Sequence, residues 1–208
     1  MAYLTPSLLS QLPLNDIRDQ QLPNFAPVQV VYKEFTLFGK YPGYDDIDRP
    51  TKIDGNNFDI EAFVKNIALN GYTRNPSPPV EKPENNPLDI KISRDSYVII
   101  ELDRYLGFTF TTLVDPVTQV PLEGISLMWL TGDHPDPLSH YANLRYCDDS
   151  GVLHDDPAPN CRIAFFQARK MKNAKNSYQQ RIVYVMDLPT GGTRFEDPDI
   201  RFPGAGSS

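Results

Sequence analysis

Two cysteines, Cys147 and Cys161, and three histidines, His134, His140 and His154, are the side chains with most scope for chemistry here. The thiols flank an Asp- and Pro-rich loop, at the inner ends of two expected strands. If those strands pair as a hairpin, the cysteines face each other at a spacing a disulfide accepts. The alternative is two half-buried thiols in a reducing compartment. The histidines lie near Asp133, Asp136, Asp155 and Asp156, but in different loops and at no zinc spacing. Two acidic groups, Asp45-Asp46-Asp48 and Asp148-Asp149 with Asp155-Asp156, offer the oxygen ligands that Ca²⁺ takes, without an EF-hand loop. The last four are the metal candidates; turn-forming aspartates account for the same residues.

Nucleophile motifs fare worse. Gly124-Ile125-Ser126-Leu127-Met128 lacks the second glycine of a nucleophile elbow and falls inside an expected strand. Thr190-Gly191-Gly192-Thr193 has no phosphate-loop lysine and reads as a strand connection. Neither cysteine has an activating partner in the sequence. Paired carboxylates of glycosidase type meet in space and leave no spacing to read. No cofactor is expected.

Binding chemistry has three sources. Arg169, Lys170, Lys172, Lys175 and Arg181 form the one basic concentration, around a turn expected to tip a hairpin. It reads as a solvated loop that protects an edge, or as a contact for an acidic surface. Val30 and Tyr32 lie in an apolar strand that must pair with something, in its own sheet or a neighbour's. Tyr41, Tyr44, Tyr72, Tyr105, Tyr141 and Tyr146 lie near turns, where aromatic faces stack on sugars or pack inward. Trp129, in the apolar run from Ile125 to Leu130, reads as core.

Charge and length narrow the partners. A net charge of −7 over 208 residues argues against nucleic acid, whose binding needs lysine and arginine to displace counterions. It also disfavours anionic lipid. No run approaches the roughly 18 apolar residues of a membrane span. The first residues lack a basic region and are cut by Pro6 and Pro13, so a signal peptide is not expected and the cytoplasm is favoured.

Twenty prolines limit what can position these groups. Proline lacks an N–H and is excluded from helix interiors and central strands. Residues 1–27 therefore read as an extended arm. Residues 28–74 supply a strand (28–37), a polar loop and one short helix (58–69), its inner face drawn from Phe58, Ala62, Phe63 and Ile67. Residues 75–87, with Pro76, Pro78, Pro79, Pro83 and Pro87, are a linker or loop. Short strands follow at 88–92, 96–102, 105–114, 120–130, 141–147, 162–168 and 181–188, separated by turn residues. That spacing predicts a mainly β chain, an antiparallel β-sandwich over 88–202, with a loose tail at 203–208.

The stretch Phe195–Gly204 resembles the closing segment of small bacterial β-sandwich proteins of the AidA/PixA inclusion-body type. Those end in an aromatic followed by Asp-Pro-x-Ile, and Asp197-Pro198-Asp199-Ile200 fits. The resemblance covers the C-terminal half and not residues 1–87. It implies a β-sandwich with no established catalytic residues. Three functional expectations result. The first is a non-enzymatic assembly subunit that binds itself or another protein through the arm or an edge strand. The second is a sugar- or small-ligand-binding module, with or without Ca²⁺, and the third an unrecognised hydrolase.

Overall fold

A strand with apolar residues on both faces needs cover on both sides, and Ser96–Leu102 is such a strand. A computed structural model describes residues 14–15, 17–35, 49–53, 58–72, 90–102, 104, 107–114, 121–122, 124–128, 139–170, 178–196 and 199–202. Its first strands are β1 (Leu14–Asn15), β2 (Gln29–Phe35), β3 (Arg49–Lys52), β4 (Ile90–Lys91) and β5 (Ser96–Leu102). Next come β6 (Thr109–Phe110), β7 (Leu113–Val114), β8 (Pro121–Leu122), β9 (Ile125–Met128) and β10 (Tyr141–Asp148). The last are β11 (Leu153–His154), β12 (Cys161–Ala168), β13 (Tyr178–Asp187), β14 (Thr193–Glu196) and β15 (Asp199–Phe202). One helix, α1 (Ile60–Asn70), stands between β3 and β4 among the described residues.

The chain is thus mainly β with one short helix, as expected. Its sheets are mixed, not purely antiparallel. One has six strands in the order β11-β10-β12-β5-β2-β3, with β2 parallel to β5. The other follows β1-β9-β13-β15-β4, with β6 and β14 also on β13 and β4 parallel to β15. β7 and β8 pair as the small hairpin expected around Asp115-Pro116, although that turn lies outside the described residues. In place of the long strand expected over 105–114 stand β6 and β7: β6 pairs with β13, where Thr111 also donates its N–H to Val185, and β7 pairs with β8.

Alternation along β5 organises the core. Val98, Ile100 and Leu102 enter an apolar cluster with Phe110, Ile125 and Met186 of the seven-stranded sheet. Tyr97 and Ile99 face the other way, into a second cluster with Val30, Tyr32, Ile163 and Phe165. β10 keeps phase with this pattern through a bulge. Asn143 takes a left-handed φ of 54°, and the register shifts between Ala142 and Arg145, so Tyr141 and Leu144 both point into the first cluster.

Helix α1 covers the second cluster with Val64, Ile67 and Ala68, the i, i+3, i+4 stripe of an amphipathic helix. Of the expected face, Ile67, Phe63 and Phe58 do pack on this cluster, whereas Ala62 is exposed and Phe58 lies just before the helix. Asp59 sets the start: its side chain accepts from Ala62 N–H at 3.0 Å, so the helix begins at Ile60, two residues after the expected Phe58. Gly71, at φ 76°, ends it by donating its N–H to Ile67 at 2.8 Å.

Two further expectations are corrected. The basic stretch after Ala168 does not tip a hairpin, because β12 has both edges filled by β10 and β5 while β13 belongs to the other sheet. The arm is not wholly irregular: β1 pairs with Leu127 and Met128, and Ile17 is fully buried in the first cluster. The expected linker, 75–87, and the tail, 203–208, lie outside the described residues. No helix among the described residues is long and apolar enough to cross a membrane.

Candidate functional site

The four candidate metal ligands sit at one end of β10 and on the loop after β11, and each has a different partner. Asp148 ends β10 as the acceptor of a tight turn. Its Oδ1 accepts from Ser150 N–H at 2.9 Å, Ser150 Oγ at 2.7 Å and Val152 N–H at 3.0 Å. Its Oδ2 lies 3.0 Å from His154 Nε2. Burial pushes this carboxyl up, but the donors from Ser150, His154 and Val152 win and hold it at about 2. Asp149 pairs with Arg162, Asp155 with Arg145 at 3.2 Å, and Asp156 with Arg18. The four carboxylates therefore do not converge as a ligand set. Among the described residues no three His, Cys, Asp or Glu side chains are placed to hold a metal ion.

Both thiols are free and buried. They are near neighbours in sequence register, since Cys147 pairs with Ile163 while Asp148 pairs with Cys161. They nevertheless point to opposite faces of the sheet: Cys161 joins the first cluster and Cys147 the second. That opposition corrects the disulfide expectation, because bonded cysteines need Cβ vectors that converge. Burial, reinforced by the nearby Asp148, pushes the Cys147 thiol up to about 12, and burial raises Cys161 as well. Neither is a thiolate at neutral pH.

A polar constellation that sequence reading missed lies where α1 ends over the six-stranded sheet. Glu101 is buried, 3 % exposed, on the helix-facing side of β5. Its Oε2 accepts from the Tyr32 hydroxyl at 2.5 Å and its Oε1 from Arg104 Nε at 2.7 Å. Arg104 also donates through Nη2 to the Ile67 carbonyl, which supplies positive charge to a helix end whose last turn carries none. Burial works against the Arg104 charge, but Glu101 more than offsets it and the guanidinium titrates above its ordinary value. Tyr72 stacks on Tyr32 at 4.2 Å and 7°. The signal was a glutamate inside an apolar strand, SYVIIEL, since buried glutamates are rare unless paired. The arrangement clasps the helix, with both carboxylate oxygens engaged.

The interaction candidates are similarly occupied. Val30 and Tyr32 are buried in the second cluster, with β2 flanked by β5 and β3, so they are not edge contacts. Arg169 donates its guanidinium to the Pro23 carbonyl and its N–H to His140 at 2.7 Å. Lys170 is exposed and donates its backbone N–H to Asp95. Lys172, Lys175, His134, Trp129, Tyr41, Tyr44 and Tyr105 lie outside the described residues. Tyr141 and Tyr146 are fully buried and offer no face to a sugar. Tyr146 instead ties the two sheets together, its hydroxyl accepting from Ile125 N–H at 2.9 Å.

The first stretch of chain has a built seat. β1 pairs Leu14 with Met128 and Asn15 with Leu127. Ile17 fills the first cluster, and its carbonyl accepts from Leu144 N–H of β10 at 3.4 Å. One short segment thereby touches both sheets. Comparison with known proteins gives no relative to read this against: no family model, no curated protein and no solved structure matches the chain.

Proposed function

We propose that this chain is a non-enzymatic assembly subunit, a β-sandwich that associates with further copies of itself. The sandwich reading is supported by the first apolar cluster, which draws side chains from the six-stranded and seven-stranded sheets together. On the same reading the resemblance of Phe195–Gly204 to AidA/PixA-type proteins falls on the closing strands β14 and β15.

The observation that carries the functional reading is the seat of the N-terminal segment. Within a proline-punctuated stretch, a strand of two residues extends the seven-stranded sheet, and one buried isoleucine meets β10 of the other. Added strands bind by main-chain hydrogen bonds and a side-chain pocket, the means by which many subunits join. The remaining chemistry supports it. The buried carboxylate accepts from Tyr32 and Arg104, and the buried thiols are protonated at neutral pH. Light scattering of the full chain across a wide concentration range tests the proposal. A mass that rises above one chain is expected; one chain at every concentration overturns it.

A further inference from the structure

The contacts that seat the N-terminal segment come before a single turn: Leu14 and Asn15 pair with β9, Ile17 enters the core and Arg18 pairs with Asp156. Within the turn the Pro23 carbonyl accepts from Arg169. The chain then reverses: Phe25 donates its N–H to the Leu22 carbonyl at 3.1 Å. Pro23 occupies the second position of this turn and Asn24 the third, at φ 57°. That is the residue pattern of a type II turn, with asparagine where glycine would carry no strain.

None of the seating contacts before the turn needs it closed. Opened, the turn releases Asn24 from its left-handed conformation. Pro23 and Pro27 then favour an extended connector that carries residues 14–22 away from their own sheets. The seat is matched to this segment by strand register and by the Ile17 site, so the occupant it selects from solution is the same segment of a second copy.

The β3 edge of the six-stranded sheet is a poorer route. Ile53 N–H donates to the Val28 carbonyl at 3.1 Å, and Val31 stands opposite Pro50. By strand alternation the Thr51 N–H faces β2 and the Pro50 nitrogen faces outward, where it has no hydrogen to give. Proline on an edge is a recognised block to pairing.

We infer that residues 14–22 exchange reciprocally between two copies, with Pro23-Asn24 as the hinge, giving a two-fold strand-exchanged dimer. This rests on the self-association proposed above and specifies its route. The test places one cysteine at each of two paired positions of the full chain, Asn15→Cys with Leu127→Cys, and oxidises the protein over a concentration series. A disulfide between chains, growing with concentration, is expected; a disulfide confined within one chain at every concentration overturns exchange. A second variant lacks Pro23 and Asn24, so the segment cannot fold back. At a concentration where the parent is mostly one chain, at least a tenfold gain in dimer is expected. A monomeric hinge-shortened chain overturns the inference. A parent that dimerises while the double-cysteine variant forms its disulfide only within one chain would leave assembly standing and remove only this route. A parent that is one chain throughout removes both.

Discussion

Replacing Glu101 with alanine should be the most destabilising polar substitution among those considered. The carboxylate is 3 % exposed and accepts two hydrogen bonds, at 2.5 Å from Tyr32 and 2.7 Å from Arg104. Bonds to a charged group contribute about 1.5–3 kcal/mol each, and breaking a buried pair costs about 3–5 kcal/mol. Arg104 is 30 % exposed and recovers part of its loss in water. Tyr32 is 5 % exposed and recovers little. The net expectation is about 3 kcal/mol, or roughly 6–12 °C in Tm for a chain of this size. Urea unfolding of the parent, Glu101→Ala, Tyr32→Phe and the double variant measures it. The cycle should give a coupling of about 1–2 kcal/mol between the carboxylate and the hydroxyl. Far-ultraviolet dichroism should show α1 loosening first, because Arg104 holds the Ile67 carbonyl from the same carboxylate. A Glu101→Ala chain within about 0.5 kcal/mol of the parent, or a coupling near zero, would refute the clasp.

Two other outcomes follow from the same geometry. Asp148 titrates at about 2 in the folded chain against an ordinary 3.8, so its stabilisation is complete above 3.8 and is lost as pH falls toward 2. After allowance for solvent screening it contributes about 1 kcal/mol. Subtracting the stability curve of Asp148→Asn from that of the parent should reveal this loss between those pH values, and a flat difference would contradict it. The cysteines should resist a thiol reagent at neutral pH in the native chain and both react on unfolding, at the unfolding rate. Rapid labelling of either in native conditions would contradict their burial on opposite faces.

Sequence alone determined what depends on neighbours along the chain. Prolines and turn residues delimit extended segments by removing donors and fixing φ, and β5 emerges at Ser96–Leu102, as read. Asn70-Gly71 stops the helix because only a residue tolerant of positive φ reverses there. Tertiary structure decided everything that depends on which face meets which. Val30, Val31 and Tyr32 are a continuous apolar run that does not say what flanks it; β5 and β3 do, and the two faces of the strand enter different clusters. The two cysteines, plausible partners by spacing, are separated by the sheet itself. Glu101 found Tyr32 across 69 residues and Arg104 found a helix carbonyl, pairings that no local pattern encodes. The physical reason is common to all three: side-chain periodicity is a property of the segment, whereas burial is a property of what the rest of the chain brings against it.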